Sequence, residues 1–483
     1  MPIIPVRDLS QGGILKDVHP TTYPVPAWSN GRNVCFQDGK AYRSPIWRKV
    51  ADSIGSDLRF CTALTPDTGF DKLILVRDNA RVYSYVGGTV TDISEAGFVS
   101  STDATSPWTA CFLGNVLYLN RRDRVPRAWK PGATQLVALA NWDSTWRCRA
   151  LRNFGDSLIA LNVTKGITDN RSMVKVSDIT LYGDVPASWD SSDPSTLAYE
   201  NPLAQLDGPI LDGRTLGDRF LFYTAGQCWE MRQGGPQDYT FRKINADDGI
   251  IATNCVIEVN GLHFVFGSKD VYMTDGVSRK SIGEGTVRQW LFRTMNTKLA
   301  YRNFVAHSPW TSEVIFAYVS GSPDASWKTP TGCNFALTYN LANGRTSFID
   351  LPNVSAMTLC NLDSVMTYNT TGSRTMDGVG GSYFDQEDSY ERHVAAVAAP
   401  LSTAGSITTI TGGGKVLGYD FVDRGQLGFE ADAECAAPSF VERTGIALDS
   451  PQELMAPLTT AKEVRAMFPE VNVSRDLPIT VTM

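Results

Sequence analysis

The sequence predicts an all-β protein: a propeller-like array of about six blades, with an extended N-terminal arm and a small C-terminal module. Three observations carry this expectation. Short apolar runs recur across residues 71–352 at roughly 40–50-residue intervals, the period of a four-stranded blade. Aromatic residues make up 10 % of the 483-residue chain, and their flat side chains pack well on a pleated surface. The 41 Gly and 25 Pro are spread throughout, as many short strands joined by many turns require.

Residues 1–50 read as the arm. Pro2, Pro5, Pro20, Pro24 and Pro26 forbid a continuous helix. Gly12-Gly13 and Asn30-Gly31 supply turns, and Trp28, Val34, Phe36 and Trp47 must bury against something.

Residues 51–394 read as the propeller. The first copy of its theme runs through Leu73-Ile74-Leu75-Val76 and Val82-Tyr83-Ser84-Tyr85 to Ile93. Later copies open at Gly114-Asn115-Val116, Gly155-Asp156-Ser157, Gly217-Asp218-Arg219, Asn260-Gly261-Leu262 and Glu313-Val314-Ile315, and the third copy is longer than the rest. A strand covered on both faces by neighbouring blades reads as a continuous apolar run. A blade cannot bury both of its faces alone, whereas a closed ring can. A β-sandwich has a similar strand rhythm and is the competing architecture. Within 284–296, Val287, Trp290, Leu291 and Met295 form a helical stripe that should pack on a blade edge.

Residues 395–483 read as a β-rich module with short helices. The stretch 395–418 is rich in Ala, Ser, Thr and Gly and resembles a linker in composition. Ser450-Pro451-Gln452-Glu453 carries a capping box that opens a helix stopped by Pro457.

Composition narrows the function classes. The formal charge of −7, from 44 basic and 51 acidic residues, argues against tight DNA binding, which needs a basic surface. Nine scattered cysteines (35, 61, 111, 148, 228, 255, 333, 360 and 435) include no C-x-x-C pair, so buried free thiols are expected, in keeping with a reducing cytoplasm. The opening residues lack a signal-peptide pattern, and no apolar run approaches the ~20 residues that span a bilayer. The sequons at Asn162, Asn353, Asn369 and Asn472 are read as chance matches.

No catalytic, cofactor-binding or metal-binding residues are expected. Thr411-Gly412-Gly413-Gly414-Lys415 looks like a phosphate loop, but Val416 stands where a Walker loop needs Ser or Thr. None of His19, His263, His307 and His393 has a second histidine at metal-ligand spacing, and His263 sits within an apolar strand as a core residue would. Ser322-Pro323-Asp324-Ala325-Ser326-Trp327 imitates a sialidase box without its glycine. There is no G-x-S-x-G elbow. The densest basic cluster, Arg121, Arg122, Arg124, Arg127 and Lys130, is expected on a rim loop. It is either simply solvated or in contact with an acidic surface or with DNA in transit.

The arm carries a family resemblance. Leu9-Ser10-Gln11-Gly12-Gly13-Ile14, Pro20-Thr21-Thr22-Tyr23-Pro24, Trp28-Ser29-Asn30-Gly31-Arg32-Asn33-Val34 and Gly39-Lys40-Ala41-Tyr42-Arg43-Ser44-Pro45 resemble the opening of phage tail nozzle proteins. These are also called tail tubular protein B, or packaged-DNA stabilisation proteins of short-tailed bacteriophages. The turn from Val271 to Gly276 is similar to one in that group. The resemblance implies a virion tail protein, assembled in the host cytoplasm, whose copies form a homohexameric ring below the portal and adaptor. Such a ring continues the DNA channel, retains the genome and conducts it during ejection. It implies partners in the chain itself, the head-to-tail adaptor, other tail proteins and, transiently, DNA. On this reading Trp28, Phe36 and Trp47 are candidate interface anchors, alongside the basic cluster. The alternative is a receptor- or glycan-binding propeller of a virion.

Overall fold

A computed structural model describes residues 10–51 (less 20, 21 and 23–26), 58–101 (less 66–70, 78, 87 and 88), 105–322 (less 236 and 246), 332–360, 393–398, 415–420 and 439–443. The first four strands are β1 (Asn30–Arg32), β2 (Val34–Gln37), β3 (Lys40–Arg43) and β4 (Ile46–Ala51). Blade one follows as β5 (Leu58–Leu64), β6 (Lys72–Arg77), β7 (Val82–Val86) and β8 (Thr89–Asp92). Blade two is β9 (Trp108–Leu113), β10 (Val116–Arg121), β11 (Arg127–Trp129) and β12 (Val137–Ala138). Blade three is β13 (Trp146–Phe154), β14 (Ser157–Lys165), β15 (Thr168–Val176) and β16 (Tyr199–Pro202). Blade four is β17 (Asp212–Leu216), β18 (Arg219–Tyr223), β19 (Cys228–Gly235) and β20 (Asp238–Asn245). Blade five is β21 (Val256–Val259), β22 (Leu262–Phe266), β23 (Val271–Thr274) and β24 (Arg279–Ser281). After a short helix α1 (Arg288–Thr294) come β25 (Phe304–Ser308), β26 (Glu313–Tyr318), β27 (Cys333–Asn340), β28 (Thr346–Cys360), β29 (His393–Ala398), β30 (Lys415–Asp420) and β31 (Phe440–Glu442).

Each of blades one to five is an antiparallel four-stranded sheet in sequence order. Tight turns set the register; at Asn260-Gly261 both residues have positive φ (53° and 76°), the geometry that matches strand twist and favours Asn-Gly. The six sheets form a ring, a six-bladed β-propeller. Successive apolar cores lie between neighbours. Ile74 and Val76 of blade one pack with Leu117 and Leu119 of blade two. Tyr118 packs with Leu158 and Ala160 of blade three, and Ile159 and Leu161 pack with Phe220 and Phe222 of blade four. The largest core joins blades four, five and six through Leu221, Phe264 and Phe316. The second strand of each blade is largely buried on both faces; β10 and β26 are buried at every position, as is β27 of the sixth sheet. Each large aliphatic or aromatic side chain sealed there contributes roughly 1.5–3 kcal/mol.

The sixth sheet closes the ring. It has seven strands in the order β25-β26-β27-β28-β29-β30-β4. The fifteen-residue β28 is shared: its first half pairs with β27 and its second half with β29, with a register shift on each side near Val354. Ala356 and Cys360 of that second half, with Val416 of β30, pack on Leu58, Leu73 and Leu75 of blade one. The stretch expected to be a linker, 395–418, therefore contains parts of two strands of the propeller, β29 and β30. Small Ala and Gly residues mimic linker composition, and the partners that make these segments strands lie far away in sequence. The proposed helix at 450–456 lies outside the described residues.

The arm is stitched onto this sheet. Ile14 N–H donates to the Thr346 carbonyl (3.2 Å), and Leu15 N–H to the Trp28 carbonyl (2.9 Å). Asp17 accepts from the backbone N–H groups of Gln289 (2.7 Å) and Trp290 (2.9 Å), supplying acceptors to two orphan donors in the first turn of α1. Val287, Leu291 and Met295 of the expected helical stripe are buried in the large core. β1 pairs with β31, so the chain's far C-terminal residues 440–442 also fasten the arm. Asn33, at φ 55°, donates through Nδ2 to Asp350 Oδ2 (2.9 Å) and accepts the Asp350 N–H (2.8 Å). Residues 30–51 are thus strands of the folded body rather than an extended tail.

Candidate functional site in the central cavity

The innermost strands of the blades enclose a cavity of about 810 Å³ on the ring axis. Its described lining includes Arg59, Arg121, Arg152, Arg214 and Arg302 and no carboxylate. This is the reverse of the chain's overall acidity. The remaining lining is aromatic, small polar and aliphatic, with Phe60, Trp108, Tyr301 and Phe304 among the rings and Val256, Ile257 and Leu359 among the aliphatic residues.

Arg152 and Asp212 anchor the wall. Arg152 Nε and Nη2 donate to the two oxygens of Asp212 at 2.8 and 2.7 Å, a bidentate charge-assisted pair. Arg152 Nη1 donates to the Ala110 carbonyl (2.9 Å) and Nη2 to Asn254 Oδ1 (2.9 Å). Asp212 also accepts the N–H groups of Gly213 (2.8 Å) and Asn254 (2.8 Å), and Asn254 Nδ2 donates to the Trp108 carbonyl (2.8 Å). One network therefore ties blades two, three and four to Asn254 at the entry to blade five. Burial pushes the Asp212 carboxyl up, but Arg152, Arg214 and the Asn254 N–H together outweigh it and the net shift is downward, so Asp212 is ionised.

Arg214 stands beside this saturated pair on β17. Its Nε is buried and makes no hydrogen bond within the protein. Burial first, and Arg152 second, push its guanidinium down to about 10, so it remains charged at neutral pH. Arg121 is 2 % exposed. Its guanidinium sits over the Trp108 ring (5.6 Å) and its Nε lies 3.1 Å from Asp123 Oδ1, while its buried Nη2 makes no hydrogen bond. Arg302 Nε donates to Tyr301 Oη (3.1 Å). His307 also lines the cavity; burial pushes it down, against a smaller opposing effect of Glu258, so it is neutral at neutral pH. The cavity can therefore attract and hydrogen-bond an anion.

The other titratable groups are quiet. His263 is fully buried in blade five, its Nδ1 2.8 Å from Tyr223 Oη and its Nε2 3.0 Å from the Thr215 carbonyl. A carbonyl can only accept, so Nε2 carries the proton and Nδ1 accepts from the tyrosine. Burial lowers this histidine to about 4. Eight free cysteines are buried, and burial raises Cys111, Cys228 and Cys360 to about 12, which keeps them thiols at neutral pH. Lys415 begins β30; the rest of the glycine run before it, like 323–327 of the sialidase-like stretch, lies outside the described residues. No helix among the described residues is long and apolar enough to cross a membrane.

The residues expected at an interface are placed differently from one another. Phe36 is 2 % exposed inside the large core, and Trp47 is 8 % exposed within the sixth sheet's own core. Both side chains are spent on intramolecular packing, so neither anchors another protein in this fold. Trp28 is half-buried against the large core. The basic cluster is largely neutralised in place. Arg122 lies 3.6 Å from Asp169, Arg124 and Arg127 share Glu95, and Lys130 pairs with Asp184. Only Arg121 of that cluster reaches the central cavity.

Arg152 and Arg214 were not picked out from the sequence. Each lies three residues before the glycine of a Gly-Asp hairpin turn, in Arg152-Asn153-Phe154-Gly155-Asp156 and Arg214-Thr215-Leu216-Gly217-Asp218, and that repeated placement is the signal that marks them.

No family model and no curated protein matches the chain. Among solved structures, one similar to it is YCF48 bound to a D1 peptide, at 10 % identity and a TM-score of 0.37, covering 78 % of this chain and 97 % of that one. A likeness at that level carries nothing about function.

Proposed function

We propose that the chain is a structural subunit of a short-tailed phage tail, of the nozzle type, whose copies form a ring that docks to an adaptor and continues the DNA channel. One observation supports this above the others: the residues that resemble the nozzle-protein opening are those that hold the arm's own turns together and, through Asn33, bind it to the sixth sheet. Gly12 passes so close to Ala27 that an added Cβ would lie 2.2 Å from its Cα. Asn33 exchanges hydrogen bonds with Asp350, and Ser44 N–H donates to the Asn33 carbonyl at 2.9 Å. A motif used in this way belongs to scaffold construction. The exposed surface of the blades, rather than Phe36 or Trp47, supplies the contacts between copies.

Native mass spectrometry of the full chain tests the proposal. Ring-sized oligomers, expected as hexamers, support it; a monomer at every concentration up to the solubility limit refutes it. The second reading, a receptor- or glycan-binding propeller, is favoured by one feature, the exposed Tyr182 (67 %) beside the exposed Leu181 (71 %). Glycan-array binding by a monomeric protein, lost on Tyr182→Ala, would select it.

A further inference from the structure

We propose that the central cavity is a binding site for a phosphate-type oxyanion, held by Arg214 and Arg121 with Arg302 at its wall. The inference does not depend on the tail role.

Three features of the cavity converge on this ligand class. The first is charge. Five arginines line it with no carboxylate among the described lining residues, and Asp212 and Asp123 are already paired with Arg152 and Arg121. The second is unused hydrogen-bonding capacity. Arg121 is 2 % exposed, yet its Nη2 has no hydrogen-bond partner, and neither does the buried Nε of Arg214. A buried charged donor left unpaired costs stability; both atoms are sealed from solvent, so an oxyanion would engage them as the guanidinium groups turn towards the cavity that Arg121 and Arg214 line. The third is size: about 810 Å³ lies within the range of small-molecule sites. Guanidinium forks match the oxygens of phosphate bidentately. Arg152 supports the site without offering donors of its own, because its Nε, Nη1 and Nη2 already bond to Asp212, Ala110 and Asn254. Paired with Asp212, it adds little net charge, but it fixes β17, and with it Arg214, in place.

The full chain should be titrated with inorganic pyrophosphate by calorimetry, at an ionic strength held constant with sodium chloride. Saturable one-site binding is expected, weakened tenfold or more by Arg214→Met and by Arg302→Gln, and unchanged by Arg122→Met, which alters a surface arginine outside the cavity. Circular dichroism confirms that each variant is folded. If Arg214→Met fails to fold, Arg302→Gln alone decides. Binding no stronger than that of chloride, or binding equal in the cavity variants and the native chain, overturns the assignment.

Discussion

Asp212→Asn tests how the ring is held at its hub. Asp212 is fully buried and accepts four hydrogen bonds, two from Arg152 and one each from the backbone of Gly213 and Asn254. The amide keeps the shape but not the charge, and puts an N–H donor in place of one acceptor, facing a guanidinium that cannot accept. Arg152, 1 % exposed, is then a buried cation without a counter-ion. Removing one partner of such a pair costs about 3–5 kcal/mol, against a typical total stability of roughly 5–15 kcal/mol. Replacing both partners by apolar residues removes the unpaired charge but leaves the Gly213 and Asn254 N–H groups without their acceptor, so Arg152→Met with Asp212→Leu should recover part of the loss. Guanidinium denaturation followed by tryptophan fluorescence measures all three proteins. A loss below about 1 kcal/mol in the single variant, or a double variant no more stable than the single, refutes a hub held by this ion pair. The pH sign follows from the lowered Asp212 carboxyl. Its contribution is present above the ordinary aspartate value of about 3.9 and is lost as pH falls through the lower folded value.

His263 gives a second pH signature. Its folded value of about 4 lies below the ordinary histidine value of about 6.5, so the unfolded chain takes up a proton that the native chain refuses. Stability should fall between pH 6.5 and 4 by about 3 kcal/mol, and His263→Gln should flatten that slope in pH-dependent unfolding. Gly12→Val drives a side chain into the Ala27 backbone, and limited proteolysis should show earlier cleavage of the arm with a loss of roughly 1–3 kcal/mol; an unchanged digestion rate contradicts the stitched arm. A thiol reagent should label no more than one of the nine cysteines before unfolding, because eight are buried. Rapid labelling of several in the native chain would contradict the packing between blades.

The sequence revealed the second strands more clearly than the first. Runs such as Val116-Leu117-Tyr118-Leu119 and Val314-Ile315-Phe316-Ala317-Tyr318 are covered on both faces and so are wholly apolar. The innermost strands face the cavity on one side, and β13 and β17 carry arginines where the apolar pattern would need hydrophobes. They look like loops until the ring brings them together, which is why Arg152, Asp212 and Arg214 escaped notice while the rim cluster around Arg122 drew it. Phe36 and Trp47 were legible as residues that must be buried, but nothing local says whether the covering surface is the same chain or another. β29 and β30 were hidden by small residues whose composition is that of a linker, because their partners, β4 and β28, are distant in sequence.

Cryo-electron microscopy of the assembled full-length protein tests the central claim most directly. The account predicts a ring of identical subunits around an open axis, each a six-bladed propeller closed by one sheet that contains strands from both ends of the chain. Isolated particles with no repeated neighbour, or subunits whose sixth sheet lacks β4 and β30, would contradict it.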